Sequence, residues 1–195
     1  IFDLNMPNLH KLFSVVFFVL FSVLTAQTIT SVQDGDWDDP STWDTAFPAT
    51  IPSSADNVII AAGHTVTIPM AVTALMKNIT INATLDASPF FSILEVYGNW
   101  VNNGTFTTGS YNEVRFKGAT DQSVDPGGDE FNDILLNNTG SPGTNKIAIV
   151  DDIDINDELT FTSGTLDLTD GGNPTVKIGG DVTISNNAVW AKGIG

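Results

Sequence analysis

The chain contains no cysteine, which excludes disulfide staples and thiol chemistry. Positive charge is scarce: seven Lys and Arg stand against 23 Asp and Glu, giving a formal net charge of −16. Nucleic acids and anionic membrane surfaces are held by clustered Lys and Arg, so this composition argues against both as partners. Histidine is nearly absent, with His10 and His64 alone, and His10 lies in a segment expected to be removed. That leaves no second histidine to share a metal, and no Gly-x-Ser-x-Gly phrase offers a nucleophile. Long helical periodicity is missing as well. The extended apolar run, Leu12 to Leu24, is 13 residues long, too short to cross a bilayer.

That run has another reading. Met6 to Lys11 is short and mildly basic, Leu12 to Leu24 is uncharged, and Thr25-Ala26 followed by Gln27 offers a cleavage point. The order matches a secretory signal peptide. Residues 1–26 are therefore expected to be upstream residues plus a signal. The remainder would be secreted or displayed at the cell surface, with no membrane insertion once the signal is removed.

What fills the rest is alternation. In "NITINATLD", Ile79, Ile81, Ala83 and Leu85 share one face while Thr80, Asn82 and Thr84 take the other. "EVRFKG" puts Val114 and Phe116 inside and Glu113, Arg115 and Lys117 outside. Period two over short runs, with Gly, Asn, Asp and Ser between them, predicts many short strands joined by turns. One helical turn is expected around "PMAVTALMKN". A sandwich, a barrel or a solenoid would satisfy this pattern. A recurring phrase favours the solenoid: "VYGNWVNNGTFTTG" (Val96 to Gly109) realigns with "IGGDVTISNNAVWAKG" (Ile178 to Gly193), as stacked coils with common corners would require.

The phrases "GDWDDPSTW", "IPSSADNVIIAAGHTVTI", "KNITINATLD" and "LEVYGNWVNNGTF" follow one another between Ser31 and about Phe106. In that order they resemble the eight-glycine (G-eight) domain family, a β-rich extracellular module. Beyond Glu113, "FNDILLNN", "INDELTFTSGTLDL" and "VKIGGDVTI" resemble the β-helical repeats of large secreted Gram-negative proteins of the type IX, sorting-domain class. The resemblance implies an all-β fold, a right-handed parallel β-helix (β-solenoid) with an N-terminal cap. The expected organisation is cap 27–50, eight-glycine-like region 51–109, and continuing repeats 110–195 that break off in mid-phrase. At about 20–25 residues per coil, that makes roughly seven coils.

Candidate sites are few. Trp37 and Trp43 could close the open end of a first coil, which otherwise exposes an unpaired edge, or could stack on a sugar ring. Asp34, Asp36 and Asp38, and then Asp152, Asp154 and Asn156, alternate as calcium ligands might, but equally as the wet face of a strand. "DDIDINDE" fails the helix–loop–helix calcium pattern, with Asp157 where glycine is required and Ser163 where glutamate is required. The acids of "TDQSVDPGGDEFND" read as a surface turn rather than a hydrolytic pair. His64 reads as a structural residue at a strand edge, and Arg115 as a partner for its neighbours. The composite expectation is a non-catalytic structural or adhesive module of a larger protein with no cofactor, calcium being the alternative. Its expected partners are glycans or downstream domains of the same protein. The alternatives are a carbohydrate-binding or polysaccharide-degrading module and a calcium-dependent surface protein.

Overall fold

Short alternating runs become short strands, and each strand lies against the equivalent run about one coil later. A computed structural model describes residues 26–45, 50–169 and 172–191; residues 1–25 of the expected leader lie outside them. The described chain is an all-β, parallel β-solenoid of about six turns. Hydrogen bonds between equivalent positions are 20 to 25 residues apart, as in Thr165 with Asn145 and Lys146 with Asp121.

Each coil has three sides. The first carries Thr28–Thr30, Asn57–Ile60, Asn78–Ile81, Trp100–Asn102, Gln122–Asp125 and Lys146–Ile149, in that stacking order. On the second side lie Gly35–Asp36, Thr65–Thr67, Thr84–Ala87 and Thr105–Thr108, then a separate stack of Glu130–Phe131, Ile153–Ile155 and Val176–Ile178. The third side carries Thr73–Met76, Ile93–Val96, Glu113–Phe116 and Asp133–Asn137. Leu159–Asp167 and Val182–Ala191 are longer strands that run from the third side into the first, pairing in parallel with each other through a register shift between Phe161 and Ser163.

Parallel register aligns like with like. Val58, Ile79, Trp100, Val124 and Ile149 form one inward column on the first side. Ala74, Leu94, Val114, Ile134 and Leu159 form another on the third. All of these are buried, and each large aliphatic among them contributes about 1.5–3 kcal/mol through loss of water contact. Where the second side is interrupted, aromatic rings fill the interior: Trp100 lies 5.0 Å from Phe106 and 5.5 Å from Phe131, centroid to centroid.

The corners are held by Asn and Asp side chains that accept a backbone N–H from the next coil. Asn78 Oδ1 takes the N–H of Asn99, Asn99 Oδ1 that of Ser123, and Asp133 Oδ1 that of Glu158, at 2.7, 2.9 and 3.0 Å. A corner amide that leaves the strand ladder needs another acceptor, and short polar side chains supply it. This accounts for the asparagine-rich corners.

Three expectations need correction. "PMAVTALMKN" forms no helical turn: Val72 N–H bonds to the Pro69 carbonyl at 3.1 Å in a tight turn, and Thr73–Met76 is a strand. About six turns replace the expected seven. The aligned phrases occupy different sides, because Val96 belongs to a third-side strand and Ile178 to a second-side one. Three corners built from the same residue types make a repeat offset by one side look in phase.

Candidate functional site

The acidic tryptophan segment folds back over the first coil. From Gly35–Asp36 the chain makes a single 3-10 turn, Pro40–Thr42, with the Asp39 side chain accepting the Ser41 N–H at its start. It then returns antiparallel to the first strand: Val32 N–H bonds to the Thr42 carbonyl at 2.9 Å and Asp44 N–H to the Thr30 carbonyl at 3.0 Å. These bonds use the strand edge facing away from Asn57–Ile60. Gly35 is required because a Cβ there would lie 2.3 Å from Thr42 Oγ1. Trp37 and Trp43 meet edge to face at 5.0 Å, and the Trp43 Nε1–H donates to the Trp37 carbonyl at 2.9 Å. With 1 % and 4 % of their surfaces accessible, neither ring has an open face on which a sugar could stack. The platform reading of Trp37 and Trp43 is therefore corrected: both are core residues.

The six candidate calcium ligands do not assemble. Asp34 Oδ1 accepts the Thr65 N–H at 2.7 Å, and Asp152 Oδ1 accepts the Thr175 N–H at 2.7 Å. Asp154 pairs with Lys177. Asp36, Asp38 and Asn156 are exposed. Among the described residues, no three His, Cys, Asp or Glu side chains group in a way that could hold a metal ion. Asp34 and Asp152 do the corner work already seen at Asp133. His64 Nδ1 lies 3.0 Å from Ser31 Oγ, a local contact between the first two coils.

The outward face of the third side is different. Glu95, largely buried, receives Lys117 Nζ at 3.0 Å, Arg115 Nη1 at 3.4 Å and the Tyr97 hydroxyl at 2.9 Å. Burial pushes the Glu95 pKa up, but the bonds from Lys117 and Tyr97 outweigh it and hold the carboxyl below its ordinary value. The same contact raises Lys117. Arg115 Nε also donates to Glu113 Oε2 at 2.5 Å. The guanidinium is thus fixed between two carboxylates on adjacent strands, so Arg115 pairs with its neighbours as its sequence setting suggested.

Beside this network a corner projects aromatic rings into water. At three successive coils a tight turn, closed by Val72 to Pro69, Ser92 to Pro89 and Asn112 to Gly109, leads into the third side. Its third residue has positive φ: Ala71 at 60°, Phe91 at 60° and Tyr111 at 64°. Elsewhere the described chain gives such dihedrals mostly to glycine, as sterics dictate. Phe90, Phe91 and Tyr111 are 55 %, 59 % and 60 % exposed. The Phe91 and Tyr111 rings stack at 5.4 Å with planes 26° apart. Next to them runs an open groove of about 370 Å³, lined by Phe91, Tyr111, Glu113, Arg115, Asp133 and Glu158 among others.

This corner was not singled out from sequence, although a signal was present. Pro69, Pro89 and Gly109 recur every 20 residues, each followed four positions later by the first residue of a strand, Thr73, Ile93 and Glu113. No protein-family model, curated protein or solved structure matches the chain.

Proposed function

We propose that this chain is a non-catalytic structural or adhesive segment of a larger exported protein, serving as a stiff, acidic spacer at the cell surface. The observation that carries the reading is the continuity of the parallel stack. Its first-side ladder runs without a break from Thr28–Thr30 to Leu159–Asp167, so every coil braces the next. About six turns at the ~4.8 Å spacing of paired strands make a rod of roughly 30 Å. Outward Thr, Asn and Asp keep it wet, and a net charge of −16 disfavours self-association. The folded-back tryptophan segment covers the first edge, which would otherwise template pairing with another chain. The signal-like residues 1–26 and the likeness to G-eight and Gram-negative surface-protein phrases support export. As a test, Met6 to Gln27 is fused to a reporter that is active only outside the cytoplasm. Export with cleavage after Ala26 is expected. A reporter that stays inside, uncleaved, would sink the surface reading.

A further inference from the structure

We propose that the groove beside Tyr111 is a carbohydrate-binding site that takes a neutral pyranose chain. The aromatic stack climbs the corner from Phe90 and Phe91 to Tyr111 and ends there, because the next coil turns from buried Phe131 to Asp133 through Asn132 alone. Tyr111 has ring partners in Phe90 and Phe91, both from the preceding coil. On the side of the following coils its neighbour is the groove. A sugar ring that laid its C–H face on Tyr111 would take the next place in the ladder.

The polar part of the lining supplies what the rim of a sugar needs. Glu113 and Asp133 are direct neighbours across paired strands, and Glu158 continues the column one residue before Leu159, which pairs with Ile134. Carboxylates accept hydrogen bonds only, at up to four lone-pair sites each, and suit neighbouring hydroxyl pairs. Arg115, immobilised by Glu95 and Glu113, adds a fixed donor, and Thr160 adds a hydroxyl. One apolar wall, a few convergent polar groups and a volume of about 370 Å³ match the usual character of small-ligand sites. The charge decides the class of sugar. Three carboxylates facing one arginine repel polyuronates and sulfated glycans and leave acceptors for hydroxyl donors. The strained backbone at Phe91 and Tyr111 fits a site that holds rings outward, where they add little to the core.

The proposal deepens the adhesive reading, and the export fusion can fail or succeed independently of it. The test uses the intact chain, titrated calorimetrically with hexasaccharides of β-linked glucose, xylose, mannose and N-acetylglucosamine, and with polygalacturonate. At least one neutral hexasaccharide is expected to bind. Tyr111→Gly, chosen because glycine suits the backbone there, is expected to weaken that binding at least about tenfold with circular dichroism unchanged. Arg115→Gln is expected to weaken it less, and Trp37→Phe to leave it unaltered. The proposal is overturned if no neutral sugar binds, if polygalacturonate binds better than the neutral chains, or if Tyr111→Gly binds like the parent.

Discussion

Two aromatic groups in this molecule meet opposite fates. Trp37 and Trp43, in the segment a reader notices first, are buried against the first coil. Phe91 and Tyr111, inconspicuous in sequence, stand more than half exposed at a corner. The difference is one of backbone, not hydrophobicity. The tryptophan segment crosses the end of the solenoid, where interior side chains await a cover, and its return strand fixes the rings inward. At the corner, a positive φ at the third residue of each turn aims the side chain away from the axis. The inward places are already filled by Leu94 and Val114. An aromatic residue can thus be read as core or as contact surface only once its position in the coil is known.

The sharpest way to break this contrast is truncation of both groups. Trp37→Ala is expected to destabilise the chain by about 3–5 kcal/mol, as for other buried tryptophans, in urea unfolding followed by circular dichroism. Phe91→Ala should stay within about 1 kcal/mol, since its ring is mostly in water and gives up little beyond its stacking with Tyr111. Comparable losses at the two sites would mean that the corner stack is part of the core and that the assignment of surfaces is wrong.

How much of this was legible beforehand follows from the same distinction. The parity of each strand was readable because a period of two has only two phases. Ile79, Ile81 and Leu85 inside with Thr80 and Thr84 outside is what the structure shows. Coil length followed from the usual period of repeat folds, and the 20- and 25-residue separations between bonded coils agree with it. Which side of the triangle a strand occupies was not readable. Corners at Gly98 and Gly180 use the same chemistry, so the realignment of the two phrases sets Phe106 against Trp190, although one is buried on the second side and the other is exposed on the last strand. The acids also looked alike in sequence. Whether Asp34 or Asp152 seeks a metal or an amide depends on whether a backbone N–H from the next coil lies within reach, and in both cases one does. Phe91 and Tyr111 escaped notice because their exposure comes from a dihedral angle, and Ala71, at the equivalent place, carries no ring to advertise it.

A second comparison sets the acidic network of the third side against the ion pair that braces the first. Asp167 accepts from Lys146 Nζ at 2.7 Å and from the Thr169 hydroxyl and N–H, and these bonds hold its carboxyl down at about 2. A carboxylate whose folded pKa is depressed stabilises the fold above its unfolded value, and that contribution is lost as pH falls through the folded value. Lys146 keeps 38 % of its side chain in solvent, so the contribution is discounted to about 1–2 kcal/mol. Lys146→Met, which leaves both Thr169 bonds to Asp167 in place, should therefore be less stable than the parent by only part of that amount, about 1 kcal/mol, at pH 6. The gap should close as the pH is lowered from about 3.8 to about 2. A gap that persists unchanged at pH 2 would show that the pairing of the Lys146 charge with the Asp167 carboxylate is not what braces the fold there.

The smallest effect tests the corner itself. Glycine is ordinarily less stabilising than alanine, by about 0.5–1 kcal/mol in regular structure, because its unfolded chain is freer. At position 111 the order should invert. Holding an L residue at φ 64° costs roughly 1–2 kcal/mol, a strain that Tyr111→Ala retains and Tyr111→Gly removes, while both lose the same ring contact with Phe91. Tyr111→Gly is thus expected to exceed Tyr111→Ala by about 0.5–1 kcal/mol, whereas at Thr107, an exposed strand position, alanine should exceed glycine. Melting curves of the four variants decide the matter. If alanine matches or beats glycine at position 111, the corner carries no strain, and the outward aim of the aromatic ladder must have another origin.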